Sequence, residues 1–171
     1  MAAHDLVIRT AAAGDVAQVC AFGEAHVRPH YAPLIGAQAA DQQVARWWRP
    51  DQILPAAVQG RIVVATAADR VVGVAQHGRA GEDVVLYKLY VDPGRRGHGL
   101  GPRLVAAVED ALPSDVRRLS VEHFAGNVRA AAFYEREGFA VERVEPSSTG
   151  SRALDVVWRA RPVGSTDAGR P

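Results

Sequence analysis

The sequence predicts an α/β fold, a single domain in which helices pack on a mixed β-sheet. The chain has 171 residues and 48% of them are apolar, enough for one sizeable core. Short β-like runs alternate with segments of helical period, in the order β-α-α-β-β-β-α-β-α-β-β. Between them, an apolar run over residues 84–92 ends in a glycine-rich turn and continues with helical spacing. This strand-loop-helix unit is expected to be the centre of the fold.

The N-terminal segment predicts one strand and one helix. Residues 6–9 (LVIR) form a short strand. Asp15 is placed to cap the helix that follows. The apolar stripe of that helix consists of Val16, Val19, Cys20 and Gly23.

Irregular structure is expected next, over residues 26–40, because prolines stand at positions 29 and 33 and a glycine at 36. A second helix is predicted to start near Ala39 and to stop at Pro50. Its packed side is expected to carry Val44, Trp47 and Trp48.

The middle of the chain reads as β-structure. Residues 62–67 and 71–78 form an antiparallel hairpin with a turn at 68–70, and residues 81–83 turn into the central strand. The helix after the glycine-rich loop stops at residues 113–115 (PSD). Its apolar positions are Leu104, Val105, Val108 and Leu112.

The C-terminal part predicts three strands and a helix. Residues 118–124 alternate as a strand, and a helix covers residues 128–137 with Gly138 as its left-handed C-cap. Two further strands follow at 139–144 and 153–158. Residues 1–161 are expected to form the single domain, and the polar, Gly/Pro-rich residues 162–171 a disordered tail.

Composition excludes several classes of function. The formal charge is +1 and no long Lys/Arg run occurs, so no nucleic-acid partner is expected. Cys20 is the only cysteine, which rules out an intrachain disulfide and a CxxC metal or redox pair. There is no apolar run of membrane-spanning length and no signal-peptide pattern, which favours a cytoplasmic protein without membrane contact. No metal is expected.

The loop over residues 95–101 (RRGHGLG) has the features of a pyrophosphate cradle. Its glycines let backbone N–H groups face outward, its arginines can pair with phosphate oxygens, and a helix N-terminus follows. Leu104 stands where a dinucleotide-binding fingerprint has its third glycine, and no Gly-Lys-Ser/Thr is present for a P-loop. Alone, such a loop is weak evidence.

A second motif narrows the function. Asn127 and Tyr134 are seven residues apart, about two helical turns, so that an amide and a phenol share one face of the predicted helix. With R-x-x-G-x-G after an apolar strand, the pattern N-x-x-A-x-x-F-Y-x-x-x-G-F resembles the GCN5-related N-acetyltransferase (GNAT) superfamily. The resemblance implies a mostly antiparallel twisted sheet with a parallel, splayed pair of central strands, flanked by about four helices.

The resemblance also implies a donor site for acetyl-CoA. Backbone amides of the loop would hold its pyrophosphate, with Arg95 and Arg96 as charge partners and His98 contributing its amide. The pantetheine would pair with the preceding strand and meet Asn127, by a form of strand addition. The cofactor-binding residues implied are Leu89, Tyr90, Val91, Arg96, Gly97, His98, Gly99, Leu100, Gly101 and Asn127.

The chemistry implied is direct attack of a primary amine on the thioester. A backbone N–H of Leu89 or Val91 would steady the oxyanion, and Tyr134 would protonate the leaving thiolate. Tyr134 also has a simpler interpretation as a packing residue on the sheet.

The proton acceptor is not evident, because Val85 stands where histone-acetylating relatives carry a glutamate. Glu122 is the candidate assigned here as the second catalytic residue, with Glu24 and His123 as substitutes. His123 has an equally good interpretation as a half-buried strand residue with no role. The amine acceptor is expected to contact Glu24, His26 and Tyr31, with Trp47 or Trp48 as further wall residues.

Several alternatives stay open. The strand-and-loop text is similar to that of bacterial small-amine acetyltransferases of the polyamine-acetylating PaiA type, but a peptide N-terminus, an aminoglycoside or an amino acid derivative are equally open acceptors. A non-catalytic acyl-CoA sensor or partner-binding module on the same fold is the alternative function. Many relatives form homodimers, so a homodimer is a further expectation.

Overall fold

A computed structural model describes residues 6–164 of the chain. In this part of the chain the strands form one seven-stranded sheet in the order β1-β2-β3-β4-β5-β7-β6. The strands are β1 Val7–Thr10, β2 Ile62–Ala67, β3 Arg70–Ala80, β4 Asp83–Val91, β5 Arg118–Phe124, β6 Ala140–Glu145 and β7 Val156–Pro162. The helices are α1 Val16–Phe22, α2 Arg28–Ile35, α3 Ala37–Trp47, α4 Pro50–Val58, α5 Leu100–Asp110 and α6 Val128–Arg136.

The sheet confirms the predicted fold class. β1 pairs with β2, β2 with β3, β5 with β7 and β6 with β7, all antiparallel. β4 and β5 pair in parallel over Val84–Leu86 and Leu119–Val121. Beyond these paired residues β4 continues to Val91 and β5 to Phe124. No helix in the described residues is long and apolar enough to cross a membrane.

The chain divides into two compact units. Among the described residues, the first unit comprises 6–77 and 87–108, and the second comprises 78–86 and 109–164. The first unit holds a core in which residues from α1, α3, α4, β2 and β3 pack together, among them Val19, Val44, Ile53, Ile62 and Val74. The last seven residues of the chain, which carry most of the expected tail, lie outside the described residues.

The predicted cap of the first helix takes a different form. Asp15 precedes α1 but makes no side-chain cap bond to it. Its carboxylate instead accepts the N–H of Ala12 at 2.7 Å and two hydrogen bonds from Arg9, at 2.7 and 2.9 Å. The Arg9 guanidinium holds the pKa of Asp15 below its usual value. Asp15 therefore fastens the turn before α1 to strand β1.

The expectation of irregular structure over residues 26–40 is wrong. A π-helical turn, Gly23–Val27, leads directly into α2, and α3 begins after one residue. Pro29 lies in the first turn of α2, where a missing N–H costs no hydrogen bond. Gly36, with φ of 87°, reverses the chain, and Arg28 pairs with Glu24 and with Asp41 of α3. The ion pair between Arg28 and Asp41 thus joins α2 to α3 in this proline-containing segment.

The second predicted helix, α3, begins two residues earlier than predicted, and only one of the two tryptophans is buried. Val44 and Trp48 are buried as expected, but Trp47 is 40% exposed and lies against Arg46, with the guanidinium carbon 4.9 Å from the ring centroid. Neighbouring helical positions are about 100° apart, so two adjacent tryptophans cannot both face the core. Pro50 does not end the helical region, because it is at the start of α4, which the sequence reading missed.

The central and C-terminal elements are mostly where they were predicted. The hairpin turn at Ala68 and Asp69 has positive φ at both residues, 48° and 57°, the backbone of a type I′ turn. β5 matches residues 118–124, and α6 ends before Gly138, whose φ is 81°. The last strand lies further along than predicted, since residues 152–154 form a 3₁₀ turn and β7 begins at Val156.

Candidate active site

The glycine-rich loop connects β4 to α5 in the first unit. Gly97 and Gly99 have φ of 78° and 73°, in the left-handed region that side chains disfavour. A Cβ built on either glycine meets no atom within 4 Å, so open space lies next to this backbone. Leu100, the first residue of α5, is buried and anchors the helix start. Main-chain N–H groups and the positive end of an 11-residue helix therefore border a space suited to an anion.

Hydrogen bonds within the loop fix its shape. Asp92 accepts the N–H of Gly94 at 2.9 Å, and the Arg96 Nε donates to the carbonyl of Val91 at 3.3 Å. The imidazole Nδ1 of His98 lies 2.9 Å from the carbonyl oxygen of Arg96. His98 thus stabilises the loop through its ring, while Arg95 is half-buried.

The end of β4 meets residues of α2. The hydroxyls of Tyr90 and Tyr31 are 2.8 Å apart and share a hydrogen bond. The Trp48 ring contacts the Tyr90 ring edge to face, with centroids 5.4 Å apart. Tyr31, assigned to the acceptor pocket, and Tyr90, assigned to the donor site, are therefore in direct contact.

The other two predicted acceptor residues lie on the π-helical turn. Glu24 is exposed and forms an ion pair with Arg28. The His26 ring packs against Phe22, with centroids 4.7 Å apart. Phe22 in turn lies beside Trp48, with ring centroids 6.3 Å apart. Phe22, Trp48 and Tyr90 thus form one aromatic cluster, which His26 and Tyr31 border.

Tyr134 lies in the second unit, on α6, and is 7% exposed. Its ring stacks on His123 of β5 and contacts Phe139 and Phe133 edge to face. The Phe139 N–H donates to the Tyr134 carbonyl at 2.9 Å, and the left-handed Gly138 makes this C-terminal turn possible. Three rings and a closed helix end fix the side chain of Tyr134.

The imidazole of His123 uses both nitrogens. Nδ1 bonds the carbonyl of Phe124 at 2.9 Å, and Nε2 accepts from the Arg159 Nε at 3.1 Å. These partners require the neutral tautomer with its proton on Nδ1. Burial, with Arg159 adding, lowers the pKa of His123. Since its lone pair is already engaged, His123 is better suited to supporting Tyr134 than to accepting a proton.

Asn127 and Glu122 occupy different surroundings in the same unit. Asn127 caps α6, because its Oδ1 accepts the N–H of Ala130 at 3.2 Å. Glu122 is next to His123 on β5, so its side chain points to the opposite face of the strand from His123 and Tyr134. Desolvation, with Glu145 adding, raises the pKa of Glu122. The two residues assigned to catalysis, Tyr134 and Glu122, do not share a face of β5.

Comparison with known proteins decides the family. Residues 58–141 match the family described as an acetyltransferase (GNAT) domain, a segment that includes the glycine-rich loop and Tyr134. The chain belongs to the GNAT superfamily. The resemblance carried by the two motifs is thereby confirmed.

Two curated relatives are mycothiol acetyltransferases. The protein from Rhodococcus opacus is 40% identical over 99 residues, which cover 49% of this GNAT chain and 32% of the relative. The protein from Frankia alni is 36% identical over 115 residues, covering 64% of this chain and 34% of the relative. The chain therefore spans about a third of the length of these relatives.

Solved structures support the same fold. The PaiA N-acetyltransferase from Thermoplasma acidophilum, solved in complex with coenzyme A, matches with a TM-score of 0.79 at 15% identity. The match covers 92% of this chain and 99% of that protein. At this identity the comparison establishes a shared GNAT fold.

One residue of this GNAT chain escaped the sequence reading. Lys88, the only lysine, is on β4 next to Leu89 and is 8% exposed. The signal was present, since a single lysine stands in an otherwise apolar strand, but only the packing shows it to be buried. No group of three or more His, Cys, Asp or Glu residues placed to hold a metal ion occurs in residues 6–164.

Proposed function

We propose that the chain is an N-acetyltransferase that moves the acetyl group of acetyl-CoA to a primary amine of a small molecule or peptide. Membership of the GNAT superfamily and the curated acetyltransferase relatives support the reaction class. The glycine-rich loop between β4 and α5 is the single observation that carries the donor assignment.

The loop fits the diphosphate end of acetyl-CoA. Gly97 and Gly99 leave open space beside the backbone, and the N-terminus of α5 adds a partial positive charge. Arg95 is half-buried in the same loop and provides a charge partner for phosphate. In this proposal the pantetheine pairs with the main chain of Leu89, Tyr90 and Val91, and Asn127 contacts it beyond its capping role.

Tyr134 is proposed as the general acid. A thiol near its ordinary pKa of ~8.5 and a phenol near ~10 make protonation of the leaving thiolate close to balanced. The stacking of Tyr134 on His123 fixes its orientation, as a proton donor requires. An N–H of Leu89 or Val91 steadies the oxyanion.

The acceptor is proposed to bind at the aromatic cluster of the first unit. Tyr31 contacts Tyr90 there, and His26 packs on Phe22. The exposed Glu24, which pairs with Arg28 in this structure, would exchange that partner for a cationic amine. Glu122 lies on the other face of β5 from Tyr134, so a role for this carboxylate in accepting the amine's proton would require a relay through water.

The experiment is a thiol-release assay with acetyl-CoA and a panel of acceptors. The panel includes polyamines, amino acid amides, a peptide N-terminus and the acceptor of the mycothiol acetyltransferases. Amine-dependent release, with an acetylated product in the mass spectrum, is the expected result. Thermal stabilisation by coenzyme A without thiol release from any acceptor indicates the acyl-CoA sensor. A protein that shows neither stabilisation nor thiol release contradicts both functions.

A further inference from the structure

Lys88 is a buried amine with no counter-ion among the residues that the structure describes. It extends from β4 and donates a hydrogen bond from Nζ to the Oε1 of Gln76 on β3, at 2.6 Å. The Nζ lies 5.3 Å from the centroid of the Trp48 ring. No ion pair joins Lys88 to a carboxylate in residues 6–164. Lysine is almost never buried without such a partner, so this position needs an explanation.

The surroundings favour the neutral amine. Burial lowers the pKa of Lys88 to about 8. Cys20 on α1 is the titratable group whose negative form would oppose this, and burial raises the pKa of that thiol, so it is neutral at neutral pH. Gln76 from β3 and Trp48 after α3 carry no charge. A substantial fraction of Lys88 is therefore uncharged near pH 8 and able to accept a proton.

Lys88 lies next to the proposed oxyanion site and to the proposed site of the amine substrate. The next residue, Leu89, provides a main-chain N–H assigned to the oxyanion. Tyr90 is two residues along the strand, so its side chain leaves the same face of β4 as Lys88. Tyr90 bonds Tyr31 and contacts Trp48, whose ring also lies over the Lys88 Nζ. The amine thus borders the aromatic cluster proposed to hold the acceptor.

We propose that Lys88 takes the proton from the ammonium group of the amine substrate, an inference that rests on the acetyltransferase function proposed above. The ammonium loses one proton to the Lys88 Nζ, and the freed amine nitrogen forms the C–N bond of a tetrahedral intermediate, whose C–S bond then breaks. Tyr134 gives its proton to the leaving thiolate and regains one from the nitrogen of the tetrahedral intermediate. Lys88 releases its proton to solvent, so the cycle liberates one proton and restores both residues.

The test compares wild type with Lys88→Met and Lys88→Arg by thiol release at saturating amine between pH 6 and 10. Methionine keeps an unbranched apolar stem, and arginine keeps a positive charge but does not deprotonate in this range. For wild type, kcat should rise with pH through a value near 8. Both variants should lack this pH-dependent rise, which forms the acidic limb of the profile. Their kcat at pH 7.5 should be about 10²–10⁴-fold lower, while they bind coenzyme A as wild type does.

Two acceptor amines of different pKa separate Lys88 from the substrate's own titration. A limb that belongs to Lys88 stays at the same pH with both amines, which supports the proposal even if a variant fails to fold. A limb that moves with the pKa of the amine overturns it, and so does wild-type activity in Lys88→Arg. If wild type turns over and only these results go against Lys88, the acetyltransferase function stands. If wild type releases no thiol with any amine, the function and the role of Lys88 fall together.

Discussion

The rings of Tyr134 and His123 are stacked, with centroids 6.0 Å apart and planes inclined by 20°. Arg159 donates one hydrogen bond to the His123 ring and another, at 3.1 Å, to the carbonyl of Phe139. The ring of Phe139 packs edge to face against that of Tyr134, with centroids 5.4 Å apart. Arg159 therefore holds two of the three residues whose rings pack on Tyr134, His123 through its ring and Phe139 through its main chain.

The Tyr134→Phe variant tests the phenol separately from this packing. Phenylalanine keeps all three ring contacts and removes the hydroxyl, so folding should be preserved. Loss of the general acid should lower kcat by about 10²–10⁴-fold with little change in acetyl-CoA affinity. Steady-state thiol release and calorimetric titration measure the two quantities. Tyr87→Phe, at an exposed tyrosine of β4, is the control. An undiminished rate in Tyr134→Phe would remove this residue from the mechanism.

The Gly99→Val variant tests the donor loop. A β-branched side chain is strained at φ of 73° and would project into the open space beside the backbone. We expect acetyl-CoA affinity to fall by at least about tenfold, which corresponds to about 1.4 kcal/mol. Gly94→Ala is the matched control, because Gly94 is in the same loop without a positive φ. Equal affinities in titrations of both variants and wild type would show that this loop does not bind the donor.

Local signals account for the parts of the fold that were predicted correctly. Signals within a few residues mark the strand that ends in the glycine-rich loop and the helical spacing that follows it. Local signals also mark the helix that starts at Asn127 and stops at Gly138. The prediction for the segment with Pro29 and Pro33 is wrong, because Pro29 fits in the first turn of a helix and because the ion pair of Arg28 with Asp41 joins α2 to α3. Sequence spacing alone could not foresee such tertiary support.

The candidate site shows the same division. Tyr134 and the loop glycines follow from motifs with fixed spacing. Packing between elements, which the motifs do not encode, determines three other features of the site. Glu122 faces away from Tyr134, both nitrogens of His123 are hydrogen-bonded, and Lys88 is buried. The sequence could therefore locate the glycine-rich loop and the proposed acid, whereas the proposal for Lys88 as proton acceptor required the structure.

Adjacent tryptophans provide a matched pair for stability. Trp48 is 4% exposed and contacts Phe22 and Tyr90, whereas Trp47 is 40% exposed. Trp48→Ala should lower the free energy of unfolding by about 3–5 kcal/mol, as expected for a large ring removed from a core. Trp47→Ala should change it by no more than about 0.5 kcal/mol. Urea unfolding of the two variants measures the difference, and equal losses would contradict the orientation of α3.

Buried histidines predict that stability falls in mild acid. Burial, with Arg61 adding, lowers the pKa of His77, and His123 shifts in the same direction. An unfolded histidine has a pKa near ~6.5, so below that value the unfolded chain binds more protons than the folded one. The contribution is therefore complete above about pH 6.5 and is lost as the pH falls through the lower folded value.

The pH dependence can be assigned with the His77→Leu variant, since His77 lies in β3 outside the proposed site. One proton taken up on unfolding gives a slope of at most about 1.4 kcal/mol per pH unit. We expect the variant to lose less unfolding free energy between pH 7 and 5 than wild type, as measured by urea unfolding at each pH. The difference should persist at high salt, because it arises from burial and not from screened surface charges. Identical slopes for wild type and His77→Leu would mean that other groups take up the protons.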